Sequence, residues 1–169
     1  MADRTHGEIS INAQASAIMG VIADLAQYPS WSEGVESIDV LETFADGRPK
    51  VARFHFSSGP IQDTFVLRYE WNGNDSVSWW LNEGSVLKKQ EGTYSIIPNS
   101  DGSMLVSYDL TVELAIPMIG MIRQRAEKRI VKSALGGLKV RVEQLKESLV
   151  APYSDSNFFV DFHQLCFFS

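Results

Sequence analysis

Three histidines and one cysteine, His6, His55, His163 and Cys166, are all that this sequence offers to the commonest nucleophilic and metal chemistries. Their placement suits neither use. No histidine pair has metal-ligand spacing, and a single cysteine makes neither an internal disulfide nor a Cys-based zinc cluster. No glycine-rich phosphate loop is present, and no Ser-His-Asp or Cys-His set assembles from sequence, which leaves only sets built by distant residues. What remains is phenolic. Tyr69, Tyr94 and Tyr108 lie in segments of alternating apolar residues, where a buried hydroxyl needs a partner. That partner is a protein group, a water, or a ligand carbonyl or hydroxyl. A carbonyl-cyclising enzyme would use such donors but also needs a base, and no buried base is identifiable. The expectation is no catalytic residue, no metal and no cofactor.

The elements that would position these tyrosines follow from periodicity. Glu8 to Asn12 alternates with period two, as a half-buried strand does. A helix capped by Ser16 follows, carrying Ile18, Val21, Ile22 and Leu25 on one face. Pro29 is expected to end it at Tyr28, with a second short helical turn from Ser30 to Gly34. Six strands then succeed one another: 37–41, 51–56, 64–71, 77–81, 87–97 and 104–114. Asp46-Gly47, Ser58-Gly59-Pro60, Asn72-Gly73-Asn74-Asp75 and Asn99-Ser100-Asp101-Gly102 supply turn chemistry between them.

A last helix is expected over about 118–149, on the order of 45 Å long. Ile122, Ala126, Ile130, Ala134, Leu138, Val142, Leu145 and Leu149 form one stripe along it. Gly136-Gly137 interrupts it at roughly 1 kcal/mol per glycine, which implies a bend or a very close backbone approach. Only this helix is large enough to cover the sheet. The fold class is therefore α+β: a curved antiparallel sheet of about seven strands wrapped around one long C-terminal helix, with two short helices after the first strand.

Alternation sorts the strands into two faces. Phe54, Phe56, Phe65, Leu67, Tyr69, Val77, Trp79, Leu81, Tyr94, Ile96, Val106, Tyr108, Leu110 and Val112 share the apolar one. Arg53, His55, Arg68, Glu70, Glu91, Asp109 and Glu113 take the other, which must be solvated. The apolar face either fills a core or lines a cavity. The connector 114–122 adds Ile116, Met118, Met121 and Ile122, adaptable contacts at a cavity mouth, a membrane or a partner, or plain packing.

With 169 residues, 44% hydrophobic and 21% charged, the chain reads as one domain with a real core. Net charge −6 argues against nucleic acid as a partner. Residues 119–146 nevertheless carry +6, so the rest of the chain carries −12. A basic helix beside an acidic sheet accounts for this, and transient contact with an anionic membrane is the other reading. No apolar leader or bilayer-length stretch is visible, which points to the cytoplasm. The domain is expected to close at Ala151. The tail 152–169, with five phenylalanines between Phe158 and Phe168, then docks on an apolar surface of this chain or of a second copy in a homodimer.

Several of these stretches together resemble the START-like superfamily of polyketide cyclases, dehydrases and lipid-transport proteins, in particular its coenzyme-Q-binding bacterial branch. They are Ile9-x-Ile11, Val21-Ile22-Ala23-Asp24, Tyr28-Pro29-x-Trp31 with Val35, and Val40-Leu41. Val77-Ser78-Trp79, Gly92-Thr93-Tyr94 and Leu138-Lys139-x-x-Val142-Glu143 complete them, over about residues 5–149. The resemblance implies a helix-grip fold with a deep apolar cavity between sheet and helix. It implies binding or transport of a lipid, quinone or polyketide-like molecule, with cyclase/dehydratase activity or a regulatory protein-interaction role as alternatives. The ligand-lining set is then Phe54, Phe56, Phe65, Leu67, Tyr69, Trp79, Leu81, Tyr94, Val106, Tyr108, Leu110, Ile116, Met118, Met121 and Ile122.

Overall fold

The computed structural model describes residues 3–59, 61–115 and 128–150. The connector residues Ile116, Met118, Met121 and Ile122, Arg123 and Arg125 beyond them, and the tail 152–169 lie outside the described residues.

Seven strands form one antiparallel sheet: β1 (Asp3–Ile11), β2 (Val35–Thr43), β3 (Pro49–Ser58), β4 (Ile61–Asn72), β5 (Ser76–Glu83), β6 (Leu87–Pro98) and β7 (Met104–Leu114). Their spatial order is β1-β7-β6-β5-β4-β3-β2. Every neighbour except β1–β7 is also consecutive in sequence, so short turns join them, and β1 pairs with β7 by returning across the sheet. Register shifts interrupt β2–β3, β4–β5 (at Val66/Leu67) and β6–β7 (at Leu87/Lys89). Such bulges bend and twist the strands that carry them, which curves the sheet around its apolar face.

The C-terminal helix lies in that curve. Residues 128–131 are α-helical, Lys132–Gly137 is π-helical, and Leu138–Val150 is α-helical again. Ala134, Leu135, Leu138 and Val142 are its buried stripe. The stripe runs out where the helix passes the sheet: Leu145 is more than a third exposed and Leu149 is 88% exposed. The glycine pair marks both things expected of it. The π turn is the local distortion, and Gly137 is a close approach, since a Cβ there would lie 2.5 Å from the Trp31 carbonyl oxygen. Gly136 has only Lys132 Cγ within reach, at 3.9 Å.

The segment before β2 departs from expectation in three places. The first α-helix, α1 (Ala15–Ala23), starts one residue before Ser16, so Ser16 is not its cap. The Gln14 carbonyl already accepts the Ala17 and Ile18 amides, which closes the first turn around Gln14. The helix also ends at Ala23 rather than Tyr28, and Leu25–Ser30 forms a 3₁₀ helix containing Pro29. Proline's fixed φ suits the tight 3₁₀ geometry, and only one donor is lost. Residues after Ser30 form turns rather than a further helix, with the Trp31 and Ser32 amides both donating to the Tyr28 carbonyl.

Trp31 closes this end. Its ring centroid lies 4.5 Å from that of Tyr28, and its backbone abuts Gly137. The Glu33 amide donates to Ser133 Oγ at 2.8 Å, so the turn is stitched to the π segment at two points. Ile11, Ile18, Met19, Ile22, Leu25, Val106, Leu138 and Val142 pack beside it as a solid aliphatic core.

Candidate functional site

The apolar face of the sheet is as alternation places it. Phe54, Phe65, Leu67, Tyr69, Val77, Trp79, Tyr94, Ile96, Val106, Tyr108 and Leu110 are buried, and Phe56, Leu81 and Val112 partly so. On the opposite face none of Arg53, His55, Arg68, Glu70, Glu91, Asp109 and Glu113 is buried. His6 and Arg4 gather around Asp109 there, and His55 faces Thr64 and Asp39. These histidines belong to the solvated side. Among the described residues no group of His, Cys, Asp and Glu is placed to hold a metal.

Cross-strand register brings the aromatics together. Tyr69 pairs with Trp79, Trp79 with Gly92, and Tyr94 with Tyr108. The ring centroids of Tyr94 and Tyr108 are 4.8 Å apart, those of Trp79 and Tyr94 5.5 Å, and those of Trp79 and Tyr108 5.8 Å. Tyr69 joins through Trp79 at 6.5 Å. Gly92 makes this wall possible, because a Cβ there would collide with the Trp79 indole. Phe54 stacks on Phe65 at 5.3 Å and extends the wall towards β3.

The four phenols near this wall differ in how their hydroxyls are satisfied. Tyr94 donates to the Ala134 carbonyl, 3.0 Å away in the π-helical segment, where a widened turn frees a carbonyl from its usual partner. Tyr28 donates to the Ile22 carbonyl at 2.8 Å, one of the open carbonyls at the end of α1. Tyr69 and Tyr108 have no hydrogen-bond partner among the described residues. The only sealed side-chain nitrogen or oxygen without a partner there is Trp31 Nε1.

Burial pushes all four phenols far above the ordinary tyrosine range. Mutual proximity adds to it: Tyr108 bears on Tyr28, Tyr28 and Tyr108 on Tyr69, and Tyr108, Tyr28 and Tyr69 on Tyr94. They are neutral donors at any physiological pH. Tyr28 is the member that sequence reasoning missed. Its signal lies in Tyr-Pro-x-Trp, but periodicity marks the residue only as the place where a helix stops.

Asp63 was also missed. It shares the parity of Phe65, Leu67 and Tyr69, and is the only buried charged residue among the described ones. Desolvation works against its charge. Hydrogen bonds from the Ser85 hydroxyl at 2.6 Å and from the Leu87, Ser85 and Val86 amides outweigh that and hold its carboxyl below the usual range. It clamps the β5–β6 turn. With four donors on two oxygens it is a poor base for chemistry elsewhere.

Comparison with known proteins agrees with this architecture. The family model described as polyketide cyclase / dehydrase and lipid transport matches residues 11–139. A START superfamily protein from Mycobacterium smegmatis is 26% identical, with a TM-score of 0.74, covering 84% of this chain and 98% of its own. A Thermus thermophilus protein is 24% identical, with a TM-score of 0.72 and coverage of 85% and 99%. The ZhuI aromatase/cyclase from Streptomyces sp. R1128 has a TM-score of 0.72 at 12% identity, covering 89% and 99%. The last two establish likeness of fold alone. No curated protein matches the chain. With a family model spanning residues 11–139 of 169 and the helix-grip fold in place, the chain belongs to the polyketide cyclase/dehydrase and lipid transport family.

Proposed function

We propose that this protein binds and carries a hydrophobic small molecule, lipid, quinone or polyketide-like, between the aromatic wall of the sheet and the C-terminal helix. One observation carries the reading: Tyr69, Trp79, Tyr94 and Tyr108 gather on the inner face of the sheet as buried rings with centroids 4.8–6.5 Å apart, a broad apolar surface edged with neutral phenols. Phe54, Phe65, Leu67, Trp79 and Leu110 would supply the apolar contact. Ile116, Met118, Met121 and Ile122 remain proposed contributors at the mouth.

A cyclase or dehydratase would need a base beside these donors. The one buried carboxylate on that face, Asp63, is engaged by Ser85, Val86 and Leu87, which favours carriage over catalysis. Among the described residues no helix is long and apolar enough to cross a membrane. Native mass spectrometry of freshly purified protein tests the proposal. A co-purifying apolar mass released on unfolding is expected. Incubation with a poly-β-ketone mimic should leave the uncatalysed background unchanged, and turnover would overturn the carrier reading in favour of a cyclase.

A further inference from the structure

The apolar stripe of the C-terminal helix continues past the elements that cover it. Leu138, Val142, Leu145 and Leu149 follow one another at steps of four, three and four, so they share one face. Leu138 is fully buried and Val142 is 2% exposed, whereas Leu145 is 38% exposed and Leu149 88%. Lys146 Nζ still reaches the Asn12 carbonyl at the β1–α1 junction, 2.9 Å away, but Leu149 beyond it faces water.

Charge around the two leucines has one sign. Arg141 stands four residues before Leu145, and Lys146 three before Leu149, so each leucine has a cation as its neighbour along the helix surface. Glu143 and Glu147 stack on each other along a different face. Whatever covers the stripe is therefore apolar and tolerates, or carries, negative charge. A second copy laid stripe on stripe would set Arg141 and Lys146 against their own copies. The segment that follows the helix suits better: residues 152–169 hold five phenylalanines with Val160 and Leu165, the carboxylates Asp155 and Asp161, and no lysine or arginine. It also starts in the right place. Pro152 disfavours continuation of the helix. Eight residues separate Phe158 from Val150, an extended reach of about 27 Å. Leu145 lies only about 8 Å back along the helix from Val150.

We infer that the tail 152–169 docks on its own chain, its phenylalanines covering Leu145 and Leu149 and its aspartates lying beside Arg141 and Lys146. The stripe that Leu138 and Val142 begin under α1 is completed by the tail. This holds whether or not the protein carries a ligand.

Cys166, the single cysteine, lies in that tail and takes a nitroxide spin label without any substitution. In the full chain, the label should broaden the amide signals of Arg141, Leu145, Leu149 and Asn12 and leave Arg53 and Arg68, on the far face of the sheet, unchanged. Leu149→Glu should abolish the broadening at Arg141 and Leu145, and so should the pair Phe158→Ser and Phe159→Ser. All three positions lie outside the buried core, and an otherwise unaltered amide spectrum verifies the fold. In unlabelled protein, Leu149→Glu should speed reaction of Cys166 with a disulfide reagent by about tenfold, the weight of one leucine's burial on a docked-to-free equilibrium. No broadening at Leu145 and Leu149, or a thiol that reacts equally fast in both proteins, overturns the docking. Broadening that persists when spin-labelled chains are mixed with unlabelled isotope-enriched ones overturns it in favour of a second copy.

Discussion

At one end of the space between sheet and helix, Ile11, Ile18, Met19, Val106 and Leu138 are packed to zero exposure. At the other, Tyr69, Trp79 and Tyr108 are buried yet each keeps 7% of its surface. Both regions are apolar and both lie under the same helix. They differ in what fills them. At the first, α1 and the 3₁₀ turn bring flexible and branched aliphatic side chains against Leu138 and Val142, and these interdigitate. At the second, rigid rings stand side by side at 4.8–6.5 Å, tilted against one another, with oxygen at their rims. The Tyr94–Ala134 bond ties the sheet to the helix at the boundary between the two. The core is solid where aliphatics meet aliphatics, and the proposed ligand is assigned to the end where large planar groups carry polar tips.

Substitutions on the solid side should act on stability and leave binding alone. L138A, at a fully buried aliphatic site, is expected to cost about 2–5 kcal/mol in urea unfolding. The same change should leave ligand affinity at the aromatic wall within error, and a parallel loss of affinity would mean the two ends are not separable.

The boundary gives a sharper contrast between adjacent glycines. G137A drives a methyl against the Trp31 carbonyl and should destabilise by about 1–3 kcal/mol, with a loss of tryptophan near-ultraviolet dichroism. G136A meets open space beyond Lys132 Cγ and should stabilise by about 0.5–1 kcal/mol. Equal effects at the two positions would show that the π segment, and not the contact with Trp31, is what tolerates glycine.

Asp63 yields the smallest effect, on the order of 1 kcal/mol. Its carboxyl is held below the usual range in the folded protein, so its contribution is fully present above the unfolded aspartate value of about 3.9 and fades as pH falls through the lower folded value. D63N should flatten that part of the acid limb in thermal melts between about pH 2 and 5, without altering ligand affinity at pH 7.5. A limb that stays as steep in the variant would assign the acid sensitivity to other carboxylates.

Much of this architecture is legible because strand alternation is a strict period-two signal: Phe54, Phe65, Tyr69, Trp79, Tyr94 and Tyr108 fall on one face from sequence and do so in the structure. Contacts between remote segments are not legible. Gly137 announces a cost, but nothing nearby in sequence names Trp31 as its reason. The status of each hydroxyl is hidden for the same cause. Tyr94 is satisfied by a carbonyl that only a π turn exposes, and Tyr28 by the end of a helix that stops earlier than its apolar spacing implies. Asp63 is within reach of sequence, since a carboxylate in register with Phe65, Leu67 and Tyr69 must either find donors or neutralise.

The most direct measurement of the difference between the two ends is methyl and indole NMR of the full chain during titration with 2-acetylnaphthalene. Leu67, Leu110 and the Trp79 indole N–H should shift progressively and saturate, while Ile11, Ile18 and Leu138 stay within error of the free protein. Shifts of equal size at Ile18 and Leu138, or none at Trp79 under saturating probe, would contradict a receptive aromatic end set against a solid aliphatic one.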